Sequence, residues 1–306
     1  MGQPASASMH GRRRAGENAG EHAGFITSRD NKWIKAFRAA LRGTGPRSGE
    51  PIGVEGPKLV EEALRSGLET EALLVSESGE RDAERILRAA GESEGGVPRS
   101  RVFHTTDRVF ASVAGTDSPQ GVAALFRQRE WALEDVLRGP GAMRESAPLV
   151  AVIAAVQDPG NVGTIVRSAE AFGATGAVST RGAADPWSPK ALRASAGSAL
   201  RLPVLRGMAI PILIAQLRIA GVKILATASK HDTGSHVSGI SSEVDLRGPA
   251  AIFIGNEGSG LPDEILRAAD GITSIPTSGA VESLNAGIAA SIVLYEAARQ
   301  RKLEGG

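Results

Sequence analysis

The chain contains no cysteine. Disulfides, thiolate metal sites and cysteine nucleophiles are therefore excluded, and an intracellular, cytoplasmic location is the expectation. Histidine is scarce. His10, His22, His104, His231 and His236 are the five, and no pair has the spacing of a helical zinc site, so no metal is expected. No apolar run is long enough to cross a bilayer, so no membrane partner is expected. A dominant charge is also missing, since the net charge is +1 at neutral pH.

What is there is enough chain for two domains, 306 residues of ordinary globular composition. The charge that sums to nearly zero is unevenly spread. Residues 1–50 carry nine Lys or Arg against four Asp or Glu, including "GRRR" at Gly11–Arg14 and the series Arg29, Lys32, Lys35, Arg38 and Arg42. A basic N-terminal region can bind phosphate backbones, and it can equally be a solvated tail and helix face. Residues 1–24 have little apolar content, so disorder is expected there, and they lack the apolar core of a secretory signal.

Hydrophobic periodicity divides the remainder in two. A short basic helix is expected from Asn31 to Leu41. "IGVEGPKLVEEALRSG" then reads as strand, turn and helix, "EALLVS" as a strand, "DAERILRAAG" as a helix and "GVAALFRQ" as a strand. These make a small α/β domain over 25–130. Residues 131–148, mixed with Pro and Gly, read as a linker. From Leu149 strands and helices alternate, beginning with the continuous apolar run "LVAVIAAV". That rhythm predicts a mostly parallel sheet covered on both faces, with ligands beyond the carboxyl ends of its strands. Three turns rich in Gly and Asn fall at those ends: "DPGNVG", "IGNEGSG" and "IPTSGAVESLN". The last leads into a closing helix whose Leu284, Ile288, Ile292 and Tyr295 share a stripe, expected to be buried. Ser283 and Asn285 at its entrance suit either a helix cap or a ligand site.

No familiar catalytic set emerges from these turns. "GNEGSG" lacks the Lys and Ser/Thr of a Walker loop, and Gly255, Gly258 and Gly260 are not spaced as G-x-G-x-x-G. A Ser-His-Asp arrangement has no histidine nearby. Uncharged polar groups and backbone recur, together with Arg167, expected near the helix start beside Asn161, and Glu257. Such a site suits a ligand that brings its own reactivity.

The segments "NVGTIVRSAEAFGA", "FIGNEGSGL" and "IPTSGAVESLNAGIAASIVLYE" resemble, in order and spacing, the three signature motifs of the SpoU (TrmH-type, SPOUT superfamily) RNA ribose methyltransferases. The resemblance spans 149–306. "VEGPKLVEEAL" and "SPQGVAALF" resemble the small L30e-like RNA-binding domain that precedes this catalytic domain in many members. The resemblance implies a deep trefoil knot, which the general rule of unknotted chains would not suggest. It implies S-adenosyl-L-methionine as cofactor, held by backbone at Gly255, Ile275 and Leu284 within the wider set Thr227, Ile254, Asn256, Gly260, Pro276, Ser283 and Asn285. The family's catalytic polar residues map onto Asn161, Arg167, Glu257, Ser283 and Asn285. It also implies a homodimer in which small residues of the closing helix pack together. One departure is Ala286-Gly287, where Val-Ser is more usual.

Transfer to a ribose 2′-hydroxyl of large-subunit (23S-type) ribosomal RNA is the expected activity. Transfer RNA, an antibiotic-protective rRNA site and a non-catalytic ribosome-associated protein are the alternatives. The target nucleotide is not readable, and neither His231 nor His236 acquires a role.

Overall fold

Short apolar runs bounded by Gly, Pro or acidic residues fold as strands of two separate sheets. The computed structural model describes residues 24–90, 97, 101–141, 146–228, 239–240, 243–278 and 283–302. The expected tail, save Gly24, and both His231 and His236 lie outside the described residues.

The first sheet has five strands: β1 (Phe25–Ile26), β2 (Ile52–Glu55), β3 (Thr70–Ser76), β4 (Val102–Thr105) and β5 (Val122–Phe126), in the order β1-β4-β3-β5-β2. β4 runs parallel to β1 and β3, whereas β5 is antiparallel to β2 and β3. The basic helix Lys32–Arg42 is capped by Asn31, whose side chain accepts from Trp33 N at 2.8 Å. It buries Ile34, Phe37 and Leu41, the helical spacing of one face, and turns its basic residues outward. β1 and β4 were not anticipated, because two to four residues are too short to register a period.

The second sheet has seven strands, all parallel: β6 (Leu149–Ile153), β7 (Gly176–Thr180), β8 (Val204–Met208), β9 (Lys223–Thr227), β10 (Gly239–Ile240), β11 (Ala250–Ile254) and β12 (Gly271–Ser274). Their order is β10-β12-β9-β11-β6-β7-β8. The expected α/β class and mostly parallel sheet are what the chain adopts. β6 and β11, buried at every position, are the continuous apolar runs that a doubly covered strand requires.

The segment 131–148 does more than connect. It contains a helix, Leu133–Arg138, whose Val136 is fully buried against the second sheet. A Cβ on Gly176 would stand 2.7 Å from Val136 Cγ1, so glycine is needed for that approach.

The two units share one apolar core running from Val54 and Val60 to Leu200 and Leu202. An ion pair and a hydrogen bond fasten them at two further points. Arg201 grips Glu170 through two bonds of 2.7 and 2.8 Å and reaches Glu62 of the first unit at 2.5 Å. Arg206 binds Asp185 at 2.6 Å and also donates to Pro46 O. Burial pushes the Glu170 carboxyl up, but the hydrogen bonds from Arg201 and Ser198 outweigh it, leaving its pKa below the ordinary 4.5.

The folded-state pKa of Glu170 is therefore the lower one. Its stabilisation is present above pH 4.5 and fades as pH falls through the folded value. Arg201→Ala is expected to cost about 1–2 kcal/mol, allowing for the partial exposure of the pairs. Thermal melts across pH should show the variant below wild type near neutrality and converging with it as pH falls below the ordinary carboxylate range. A constant gap at all pH values would contradict the assignment.

Candidate cofactor and catalytic site

Because β6, β9, β11 and β12 are parallel neighbours, the turns that leave their carboxyl ends open on one edge of the sheet. The first turn proved shorter than expected. Much of "QDPGNVG" is already helical, since the helix Pro159–Ala171 begins there with Pro at its first position and Asp158 as N-cap. Asp158 Oδ2 accepts from Asn161 N at 3.2 Å, and Lys190 donates to Oδ1 at 2.6 Å. The Lys190 hydrogen bond holds the Asp158 carboxyl below its usual range. Gly163 lets this helix meet its neighbour, for a Cβ there would fall 2.3 Å from Ala191 O.

The second turn follows Ile254, whose carbonyl accepts from Ala154 N at 2.8 Å. Asn256 and Gly260 close it with reciprocal backbone bonds of 3.2 and 3.0 Å. Asn256 Oδ1 accepts from Gly258 N and Ser259 N, so this side chain shapes the turn. Gly260 has φ of 66°, and a Cβ on Gly255 would lie 2.6 Å from Gly260 C. Both glycines are required by the backbone itself.

The closing helix, Ala286–Lys302, settles the cap question. Asn285 Oδ1 accepts from Gly287 N at 3.0 Å and Ile288 N at 3.2 Å, so Asn285 is the cap. Ser283 is exposed two residues earlier and makes no hydrogen bond to a described residue. Asn285 Nδ2 is left to serve the site, donating to Asn161 Oδ1 at 2.9 Å and Glu257 Oε1 at 3.4 Å. Asn161 Nδ2 also donates to Glu257 Oε1, as does Ala286 N at 3.2 Å. Asn161, Glu257 and Asn285 thus form one bonded cluster drawn from three turns.

Arg167 is not in it. It lies mid-helix rather than at the helix start, six residues and about 9 Å along the axis from Asn161 and on another face. Its side chain is exposed and pairs with no described residue. Glu170, an acidic neighbour three residues on along the same helix, is taken by Arg201. The stripe on the closing helix was also turned about. Ile288, Ile292 and Tyr295 are 53%, 37% and 55% exposed, while Ala286, Gly287, Ala290, Val293, Leu294 and Ala297 face the core. Asp158 was missed although Asp-Pro before a helix is a start signal; Lys190 has no local signal at all.

These turns offer buried hydroxyls, apolar side chains and backbone polar groups side by side, the chemistry that a nucleoside with an attached amino acid would need. The hydroxyls of Thr273 and Ser274, buried at the end of β12, have no partner among the described residues. Half-buried Ile275 and Leu284, with exposed Pro276, give the turns apolar walls next to backbone polar groups. Thr227 Oγ1 donates to Phe253 O at 2.9 Å and braces β9 against β11. Among the described residues no group of three His, Cys, Asp or Glu is placed to hold a metal ion.

The parallel sheet with its Gly/Asn turns, preceded by a small α/β domain, is shared with S-adenosylmethionine-dependent RNA methyltransferases of the SpoU class. The chain belongs to the SpoU rRNA methylase family, whose model matches residues 148–295; residues 47–124 match the MRM3-like substrate binding domain. It is 32% identical over 243 residues to the 23S rRNA (guanosine(2553)-2′-O)-methyltransferase RlmP of Bacillus subtilis, covering 79% of this chain and 86% of that one. The AdoMet-bound rRNA methyltransferase from Sinorhizobium meliloti is similar with a TM-score of 0.74 and 30% identity, covering 92% of this chain and 98% of that one. The SpoU methyltransferase AviRb from Streptomyces viridochromogenes is similar with a TM-score of 0.73 and 27% identity, covering 90% and 99%.

The replacement Gly255→Ala tests the second turn. Overpacking of this size costs about 1–3 kcal/mol. Calorimetry should show S-adenosylmethionine affinity falling at least tenfold while the fold is retained; unchanged affinity would mean that this turn does not carry the cofactor.

Proposed function

We propose that this chain transfers a methyl group from S-adenosylmethionine to a ribose 2′-hydroxyl of 23S-type ribosomal RNA in the cytoplasm, acting as a homodimer. The observation that carries the reading is the convergence of Asn161, Glu257 and Asn285 from three family motifs onto one cluster. The RlmP relative, a 23S rRNA 2′-O-methyltransferase, supports the substrate class over transfer RNA. The familial knot is supported by the placement of β11 between β6 and β9, and by the closing helix returning to the helix Pro159–Ala171 through a Ser168–Ser291 bond of 2.7 Å. Among the described residues, no helix is long and apolar enough to cross a membrane.

When bound, the cofactor supplies a methyl carbon activated by its sulfonium. The ribose oxygen forms a bond to that carbon as the carbon–sulfur bond breaks, and its proton departs late. Glu257 Oε1 is engaged by three donors, so Oε2 is the oxygen left to accept a proton, alongside water or a phosphate oxygen. A guanidinium offers donors and no acceptor atom, so Arg167 works by charge, clamping a phosphate and steadying the developing alkoxide. Freedom from internal ion pairs suits that task. Its distance from its own cluster suits delivery across a two-fold interface built on Ile288, Ile292 and Tyr295.

Arg167→Ala is expected to lose about 2–4 kcal/mol of transition-state stabilisation with S-adenosylmethionine affinity nearly unchanged, and Arg167→Lys to keep measurable activity. Equal activity of Ala and wild-type proteins on native RNA would remove Arg167 from the mechanism. Mapping 2′-O-methyl positions in total RNA from cells with and without the gene tests the substrate assignment.

Ile292→Asp should convert a dimer to a monomer in sedimentation velocity at micromolar concentration and abolish turnover. A wild-type protein that sediments as a monomer yet methylates at full rate would overturn the shared-site reading.

A further inference from the structure

Unpaired positive charge gathers at one face of the first unit and continues into the junction. Arg29, Arg38, Arg42 and Arg108, with Ala111 and Ser112, line a groove of about 540 Å³ that has no carboxylate in its wall among the described residues. Arg38 Nε donates to Ser112 O at 3.3 Å and Arg42 Nε to Ala114 O at 2.9 Å. Neutral carbonyls thus fix the two guanidinium groups without cancelling their charge. Arg29 and Arg108 pair with no described residue. The neighbouring lysines do not contribute, since Lys35 pairs with Asp30 at 3.6 Å and Lys32 lies over the Trp33 ring.

Arg42 also lines a second groove, about 440 Å³, between the two units. Lys190 and Arg193 stand on the wall that belongs to the second unit, and Asp117 is the acidic residue lining it. Lys190 in turn bonds Asp158, the cap of the helix that carries Asn161. Arg42 and Arg193 therefore carry the positive charge from the outer face of the first unit into the junction, whereas the charge of Lys190 is met by Asp158. Another arginine-lined groove makes the contrast. There Arg81, Arg85 and Arg88 share the wall with Glu84, and Arg85 is paired with Glu61 and Asp82.

We propose that the two grooves form one track for the phosphate backbone of the RNA substrate, entering at Arg29 and Arg108, turning at Arg42 and passing Arg193 towards the Asn161–Glu257–Asn285 cluster. The proposal rests on the RNA methyltransferase reading and names the residues that present RNA to it. Like charges held together in a groove repel, and a polyanion relieves that repulsion while releasing its counterions. Among the described residues no aromatic ring lines either groove to stack a base, so the track reads phosphates and orients the chain.

The test uses the full chain and a labelled transcript of 23S rRNA, with Kd measured against KCl concentration. Arg29→Gln/Arg108→Gln should weaken RNA binding about tenfold and reduce the log–log salt slope by about 1.4–1.8, the share of two phosphate contacts. KM for RNA should rise with kcat retained, and S-adenosylmethionine affinity should not change. Arg193→Gln should act in the same direction. Arg81→Gln/Arg88→Gln removes equal charge from the other groove and should leave binding within twofold of wild type. Equal losses in the two double variants would reduce the effect to bulk charge and overturn the track, as would no loss in either. A wild-type chain whose RNA binding ignores salt would overturn the RNA reading first, and the track with it.

Discussion

Three donors converge on Glu257 Oε1, and the site exists only because they do. Asn161 comes from the turn after β6, Glu257 from the turn after β11, and Asn285 and the Ala286 amide from the segment after β12. Strands in a parallel sheet fix where such turns begin but not where their tips go. A half-buried carboxylate that collects donors from two other turns supplies that missing constraint. Replacing it with an apolar group would leave Asn161 Nδ2 and Ala286 N without their acceptor. Glu257 is thus an organiser before it is anything else, and any proton it accepts goes to the oxygen not spent on assembly.

The same economy governs Asn285. One end of its side chain caps the closing helix, and the other joins the cluster. Loss of Asn285 would loosen the helix start and the catalytic turn together. The helix then carries this constraint inward through Ala286, Gly287 and Ala290, where small side chains let it lie against the helix Pro159–Ala171. A Cβ on Gly287 would come within 2.9 Å of Thr164 Cγ2. The larger apolar residues are left outside, where a second copy can use them.

That inversion explains what the sequence could and could not disclose. Strand and helix rhythm after Leu149 was legible because buried parallel strands are continuous apolar runs. β8, "VLRGM", was not, because Arg206 and Gly207 interrupt the pattern at the sheet edge. Spacing in the closing helix revealed a stripe but not its direction, since the core side is packed by Ala, Gly and Val and the bulky residues point away. "DPGNVG" reads as a loop by composition, yet Asp158 and Pro159 are a helix start. Asn161, Glu257 and Asn285 were reachable through motif resemblance; their mutual bonds span 28 to 124 residues and leave no local trace. Arg167 shows the reverse error, being close to Asn161 in sequence and well removed on the helix.

The attachment of the two units gives the catalytic edge a fixed relation to the arginine groove. A flexible linker would let the first unit hold RNA at a variable distance from the cluster, and positioning would have to be regained at each encounter. Here a common apolar core, the Arg201 pairs with Glu62 and Glu170, and the Arg206 bonds to Asp185 and Pro46 remove most of that freedom. At the far end, Arg301 is buried enough to depress its pKa, yet it donates to the carbonyls of Pro148, Leu246 and Gly248. It thereby ties the end of the closing helix to the entrance of β6 and the approach to β11. A charge is retained in that buried place because several peptide oxygens share it, and a neutral side chain would leave them unpaired. The closing helix is consequently held at both ends, by Asn285 at the site and by Arg301 at the opposite edge of the sheet. Its outward stripe is therefore presented as a fixed surface, as an interface that completes a catalytic site across two chains would require.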